Sequence, residues 1–280
     1  MQPLIDADVL VYEVGFACET AWTGPGYPSF DFAADMLDSR ISNICAVVGA
    51  TAPPILYLTG KGNFRYDIAK RQPYKERAGN KPYHYYNLQA YIKAKYDTKV
   101  SEGMEADDLI AIEQTRREEI LGGNPLYSGP TKPSIICTRD KDLLSVPGWH
   151  YGWECHNQPS YGPELVDEFG KITLQTKVDS KGRKTNKIVG TGLMFFYAQC
   201  LTGDPVDTVP GIPGTGAAKA FKILEGSVDS KDALKRVYGA YRASYGPLNA
   251  YREMLEQGRL LHMTRKLKED GTPYLWGQTT

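Results

Sequence analysis

The sequence predicts an α/β fold, with a mainly parallel central sheet flanked by helices and a helical subregion toward the C-terminus. Short apolar runs of strand length end at Asp6 and fill residues 54–58 (PILYL) and 134–137 (SIIC). Between them, residues 30–48 and 105–120 carry apolar side chains at helical spacing. Strands that alternate with helices imply a mainly parallel sheet. From about Gly190 the pattern turns helical.

The opening PLIDADVLVY reads as a strand that closes on Asp6 and passes at once into a helix. SIIC is followed directly by Thr138, Arg139 and Asp140, so the same grammar recurs. Open parallel sheets bind ligands beyond the carboxyl ends of their strands, where Asp6 and Asp140 would then meet. A second basic run, 171–187, has DSKGRK (179–184) at its centre, which reads equally well as a hairpin tip. Further on, GLMFFYAQCL, the loop VPGIPGTGAAKA (209–220) and the residues to Leu224 read as helix, tight turn, helix. Residues 229–261 are helical in pattern and rich in Tyr, Lys and Arg. The expected division is a core over 1–160, with a basic stretch at 60–86, and a helical region over 161–280 packed on it.

With 280 residues, 41% hydrophobic and 24% charged, the chain can bury one sizeable core or two smaller ones. It holds no run near the roughly 18 apolar residues of a membrane helix, and MQPLIDADVLVYEV lacks a basic leader, so a cytoplasmic monomer without a membrane partner is expected. Cys18, Cys45, Cys137, Cys155 and Cys200 are scattered and form no C-x-x-C pair, which argues against disulfide frameworks and zinc sites.

The formal net charge is zero, yet charge is segregated. Residues 61–81 hold Lys61, Arg65, Lys70, Arg71, Lys75, Arg77 and Lys81 against Asp67 and Glu76. Interleaved Phe64, Tyr66, Tyr74, Tyr83, Tyr85 and Tyr86 suit stacking on unpaired bases while cations hold phosphates. A solvated loop has the same composition.

In MEADDLIA, Glu105 and Asp108 lie three apart on one predicted helix face, with Asp107 beside them. Acids there also simply favour a helix N-terminus. Asp140 and Asp142 follow the third strand, where a turn accepts Asp as well, and Asp204 and Asp207 precede the glycine loop, where either can cap. With Asp6 these make eight carboxylates at element ends, without a comparable number of cations beside them. Bringing them together is costly unless a divalent cation compensates. Oxygen-only ligation selects Mg²⁺ or Mn²⁺ over zinc, and two such ions promote phosphodiester hydrolysis.

The segment Gly211 to Gly216 opens like a nucleotide-binding loop but continues with Ala217 and Ala218 where Lys and Ser or Thr are required. Gly211, Gly214 and Gly216 can instead offer backbone N–H groups to one DNA phosphate, with Lys219 nearby.

LIDADVLVY, MEADDLIA, CTRDKDLLSVPG and LTGDPVDTVPGIPGTGAAKA resemble, in order and approximate spacing, the flap endonucleases and 5′-3′ exonucleases. That family includes bacteriophage 5′ nucleases and the exonuclease domain of bacterial DNA polymerase I, and the resemblance covers nearly the whole chain. It implies a PIN-like sheet, a helical arch and a helix-turn-helix DNA-binding subregion. It further implies a first metal group of Asp6, Glu105, Asp107, Asp108 and Asp140, a second of Asp142, Asp204 and Asp207, and K⁺ held by the glycine loop. Tyr74-Lys75 resembles the arch motif, which makes Lys75 and its neighbour Arg77 the catalytic candidates; Lys61, Arg65, Lys70, Arg71, Tyr74 and Lys81 complete the expected DNA contacts.

The family usually places a further Asp after the second strand, where this chain has Thr59 and Gly60. Asp8 either substitutes for it or caps the following helix. The activity implied is 5′ nuclease action on DNA with a 5′ end or flap, in replication, primer removal or DNA degradation, with RNA–DNA hybrids as a further substrate. A catalytically weakened DNA-binding protein and a PIN-like ribonuclease are the alternatives.

Overall fold

The computed structural model describes residues 1–75, 79–122, 133–156, 158–178 and 181–278. In chain order the elements are β1 (Gln2–Asp6), α1 (Ala7–Ala21), α2 (Phe30–Val47), β2 (Ile55–Lys61), α3 (Arg65–Ile68), α4 (Tyr85–Lys95), β3 (Asp97–Glu102), α5 (Ala106–Gly122), β4 (Ser134–Cys137), β5 (Gly148–Gly152), β6 (Tyr161–Val166), β7 (Lys171–Val178), β8 (Lys184–Thr191), α6 (Gly192–Thr202), α7 (Ala217–Leu224) and α8 (Ser230–Leu261). They fall into two compact units. The first is Met1–Asn63, Ala78–Leu143 and Gly148–Leu165, and the second is Phe64–Arg77, Leu144–Pro147 and Val166–Thr280. Residues 64–75 of the basic stretch cluster with the C-terminal unit.

The first unit is built on a sheet of order β3-β2-β1-β4-β5-β6. β1 pairs in parallel with β2 and β4, β2 with β3, and β4 with β5, as the alternation of strands and helices predicts. Leu4, Ile5, Leu56, Leu58, Ile135 and Ile136 are almost wholly buried, which explains their unbroken apolar runs, since central parallel strands are covered on both faces. α1 and α2 begin on side-chain caps: Asp6 accepts from Val9 N–H, and Ser29 accepts from Phe32 N–H. β3 escapes the sequence reading because only Ser101 of DTKVSE is buried, so no apolar run marks it. α4 starts at Tyr85, inside the stretch read as basic and aromatic.

In the second unit β7 and β8 form the antiparallel hairpin expected from the DSKGRK tip, of which residues 179–180 lie outside the described residues. α6 buries nearly its whole length, and α7 and α8 cover it around Phe196, Leu201, Leu224, Val237 and Tyr241. The predicted helix over 229–261 is present but bent. Gly246 sits at φ +74° and Pro247 follows, so the ladder of backbone bonds breaks there. No helix among the described residues is long and apolar enough to cross a membrane.

Candidate metal centre

Because β1 lies between β2 and β4, the carboxyl ends of three neighbouring strands share one edge of the first unit. Asp6 ends β1 and is 1% exposed. Its carboxylate accepts from Val9 N–H at 3.1 Å and from Thr138 Oγ1 at 2.7 Å. Thr138 is a hub, since the same hydroxyl accepts from Asp140 N–H at 2.8 Å. Asp140 Oδ1 in turn accepts from Asp142 N–H at 2.8 Å, and Lys141 Nζ donates to Asp142 Oδ1 at 2.9 Å. Burial above all, then the charge of Asp8, pushes the Asp6 carboxyl up to about 7. The hydrogen bonds from Thr138 and Val9 oppose that rise, and Asp140 adds to it.

Asp8 does not cap α1, because Asp6 does. Instead Asp8 Oδ2 accepts from Thr59 N–H at 2.9 Å, which brings a carboxylate beside the end of β2. Thr59 Oγ1 accepts from Ala106 N–H at 2.9 Å and so serves the N-terminus of α5. Gly60 is equally committed, for a Cβ there would stand 2.2 Å from the Ser101 carbonyl oxygen. On α5, Asp108 is fully buried and accepts from Glu105 N–H at 3.2 Å, the reciprocal half of a capping box. Glu105 is buried and Asp107 half-buried in the same turn.

Among the described residues no three His, Cys, Asp or Glu side chains converge into a ready-made cage for an ion. The donor chemistry nevertheless fits a hard divalent cation. A carboxylate whose proton is held chiefly by burial, with neighbouring acids adding to it, is relieved by positive charge, and Mg²⁺ typically takes one or two carboxylates and keeps several waters. Thr138 and Thr59, which orient these acids, are missed by the sequence reading. A hydroxyl beside an acidic motif becomes informative only once the strand ends are known to be neighbours.

In the second unit, Asp204 and Asp207 are buried at the start of the glycine loop. Asp204 Oδ1 accepts from Val206 N–H at 2.8 Å, while Asp204 and Val209 exchange two backbone bonds of 2.8 Å. Asp207 accepts from Tyr74 OH at 3.2 Å and lies 3.6 Å from Lys75 Nζ, so the Tyr74-Lys75 motif and this acid belong together. Lys75 has φ +50°. Arg77 lies outside the described residues.

Three expected DNA contacts are found buried, the first being Tyr74, 5% exposed and donating its hydroxyl to Asp207. Arg65 is fully buried, and its guanidinium donates to the carbonyls of Leu260 and His262 at 2.9 and 3.0 Å, which makes it an internal tie. Gly211 is buried too, its N–H donating to Gln257 Oε1 at 2.9 Å and its carbonyl accepting from Tyr245 OH at 3.3 Å. Its φ of +64° and the Gly203 nitrogen 2.3 Å from a would-be Cβ explain the glycine. Gly214 and Gly216 are exposed, Gly216 is the N-cap of α7, and Lys219 is exposed in the first turn. Lys61 and Lys70 are exposed, and Arg71 is held by Tyr245 OH at 2.8 Å and Glu253 at 3.5 Å. Lys81 is exposed and donates to Tyr86 OH at 2.9 Å.

No family model matches the chain. It is 29% identical over 138 residues, 49% of its length, to DNA polymerase I of Rhizobium leguminosarum. Over 124 residues, 42% of its length, it is 29% identical to DNA polymerase I of Pseudomonas aeruginosa. The chain spans 11% of the length of each of these relatives. Among solved structures, a bacteriophage T5 protein co-crystallised with metal ions matches at TM-score 0.51 and 14% identity, over 92% of this chain and 88% of that one. The T5 flap endonuclease in a pseudo-enzyme-product complex with DNA and metal ions matches at TM-score 0.50 and 13% identity, over 93% and 94%. The fold expected from the motif resemblance is therefore the fold of this chain.

Proposed function

We propose that this chain is a divalent-metal-dependent 5′ nuclease that hydrolyses DNA phosphodiesters near 5′ ends or flaps. The observation that carries this reading is the Asp6 carboxyl, buried at a strand end and bonded to Thr138, whose hydroxyl also takes the Asp140 N–H. Asp6 also caps α1, and a bound cation would relieve the cost of keeping it charged beside other acids. The likeness in sequence to two DNA polymerases I and in fold to a T5 flap endonuclease supports the same class.

Asp6, Asp8 and Asp140 would hold the ion, Mg²⁺ or Mn²⁺, whose chemistry when bound is to polarise the phosphodiester and neutralise the charge that develops on it. Thr138 keeps Asp6 and Asp140 oriented by donating to one and accepting from the backbone of the other. Thr59 positions Asp8 through its N–H. Glu105, Asp107, Asp108, Asp142, Asp204 and Asp207 are the further proposed acids. Lys75 is the proposed contact to the scissile phosphate, with Arg77 beside it. Gly214, Gly216 and Lys219 are proposed to grip a duplex phosphate at the start of α7, with K⁺ on the loop carbonyls. An RNA strand in a hybrid with DNA is a further proposed substrate.

The test is incubation of 5′-labelled flap DNA with Mg²⁺ and sizing of the products. The wild type should release the flap strand. Asp140→Asn should lower the rate about a hundredfold or more, as loss of an electrostatic catalyst does, while binding of flap DNA stays near wild type.

A further inference from the structure

We propose that Tyr27 and Tyr83 form a platform on which an unpaired nucleobase stacks, a proposal that rests on the nuclease reading and extends it to the unpaired strand of the substrate. The two rings come from segments far apart in the chain and lie parallel, with centroids 4.1 Å apart and planes 3° apart. Tyr27 is 65% exposed and Tyr83 56% exposed, so large ring surface stays in water. Exposed aromatic surface that is also held in place is the mark of a binding face.

The pair is held from behind. Tyr83 N–H donates to Glu19 Oε1 at 2.6 Å. His84, buried, meets the Tyr83 ring edge-on at 4.8 Å and the Phe30 ring at 5.7 Å. His84 Nε2 lies 2.7 Å from the Pro28 carbonyl, a contact that puts the proton on that nitrogen and ties the Tyr27 loop to the Tyr83 segment. Pro82 presses against α1 at Gly15, where a Cβ would stand 2.5 Å from the proline ring. The platform is thus built before any ligand arrives, which lowers the ordering cost of binding.

Its surroundings specify the ligand. Lys81, two residues before Tyr83, carries its ammonium 4.5 and 4.6 Å from the Tyr85 and Tyr86 rings, a cation suited to the phosphate that accompanies a base. Tyr85 stands 4.9 Å from Tyr12 of α1. Flat faces stack on any base, so the platform should tolerate sequence and require only that the base be unpaired.

The test compares a single-stranded oligothymidylate with an abasic oligonucleotide of equal length, bound to the full chain in EDTA. The wild type should prefer the base-bearing strand about tenfold, the effect expected of one stacked base. Tyr27→Ala with Tyr83→Ala should abolish the preference, and Tyr27→Phe with Tyr83→Phe should keep it. Quenching of 2-aminopurine in the strand should follow the same order. Equal affinity of the wild type for both strands, or a preference that survives the alanine pair, would overturn the platform. If that happened while flap DNA was still cleaved with Mg²⁺, the nuclease reading would stand without it. A base preference with no cleavage would sink the nuclease reading instead.

Discussion

Asp6 is an acid whose charge is awkward to keep without a cation. Because burial and its neighbours raise Asp6 from the ordinary 3.8 to about 7, the folded chain holds that proton more tightly than the unfolded chain does. The metal-free protein should therefore lose stability as pH climbs from about 4 to about 7. Asp6→Asn keeps an oxygen to cap α1 and removes the charge, so its advantage in melting temperature over the wild type should grow between about pH 4 and about pH 7 and stay level above that. A gain of roughly 2 to 4 °C at pH 8 corresponds to about 1 kcal/mol in a chain of this size. Calorimetry in EDTA checks this, and a difference that does not vary with pH would contradict it. At Asp8, Asn can still accept from Thr59 N–H, so Asp8→Asn should fold normally. It should nevertheless raise the Mg²⁺ needed for half-maximal cleavage by roughly ten- to a hundredfold, as loss of a metal-orienting group commonly does. An unmoved titration would reduce Asp8 to a structural tie.

The end of β2 shows why an acid is absent there and what an element can tolerate. Gly60 has no room for a side chain against the Ser101 carbonyl, whereas Thr59 uses its hydroxyl as an acceptor for α5. Gly60→Asp should therefore destabilise by about 1 to 3 kcal/mol through overpacking. Thr59→Asp supplies an equally good acceptor, so it should stay within about 1 kcal/mol of the wild type and lower the Mg²⁺ requirement. Denaturant melts with Mg²⁺ titrations separate the two, and equal destabilisation would refute the distinction. Elements differ in the same way in how far the sequence reveals them. β1, β2 and β4 are legible because burial on both faces writes unbroken apolar runs, and the hairpin is legible from its glycine-bearing tip. β3 is not, since one buried serine leaves no pattern. The candidate acids stand out by type and spacing, but their partners Thr59 and Thr138 depend on which strands are neighbours. Arg65 reads as a phosphate contact in the sequence because sequence shows charge and not depth.

Over the whole molecule a net charge of zero accompanies the proposed division of labour. The acids of the first unit are assigned to metal, and the cations and loop donors are assigned to phosphate, so the two functions should separate on mutation. Lys219→Ala should weaken duplex affinity and reduce the slope of its salt dependence by about one, with little change in the single-turnover rate at saturation. A slope equal to the wild type's would remove Lys219 from the interface. The central claim, that carboxylates at the strand ends make this chain a metal-dependent 5′ nuclease, is tested most directly by single-turnover cleavage of 5′-labelled flap DNA. The measurement compares wild type and Asp140→Asn with saturating Mg²⁺ or with EDTA, alongside flap-DNA affinity. The account predicts flap release by the wild type only when the metal is present, and a rate at least about a hundredfold lower in Asp140→Asn at unchanged affinity. Cleavage that persists in EDTA, a wild-type rate in Asp140→Asn, or no cleavage by the wild type with either Mg²⁺ or Mn²⁺ would contradict it.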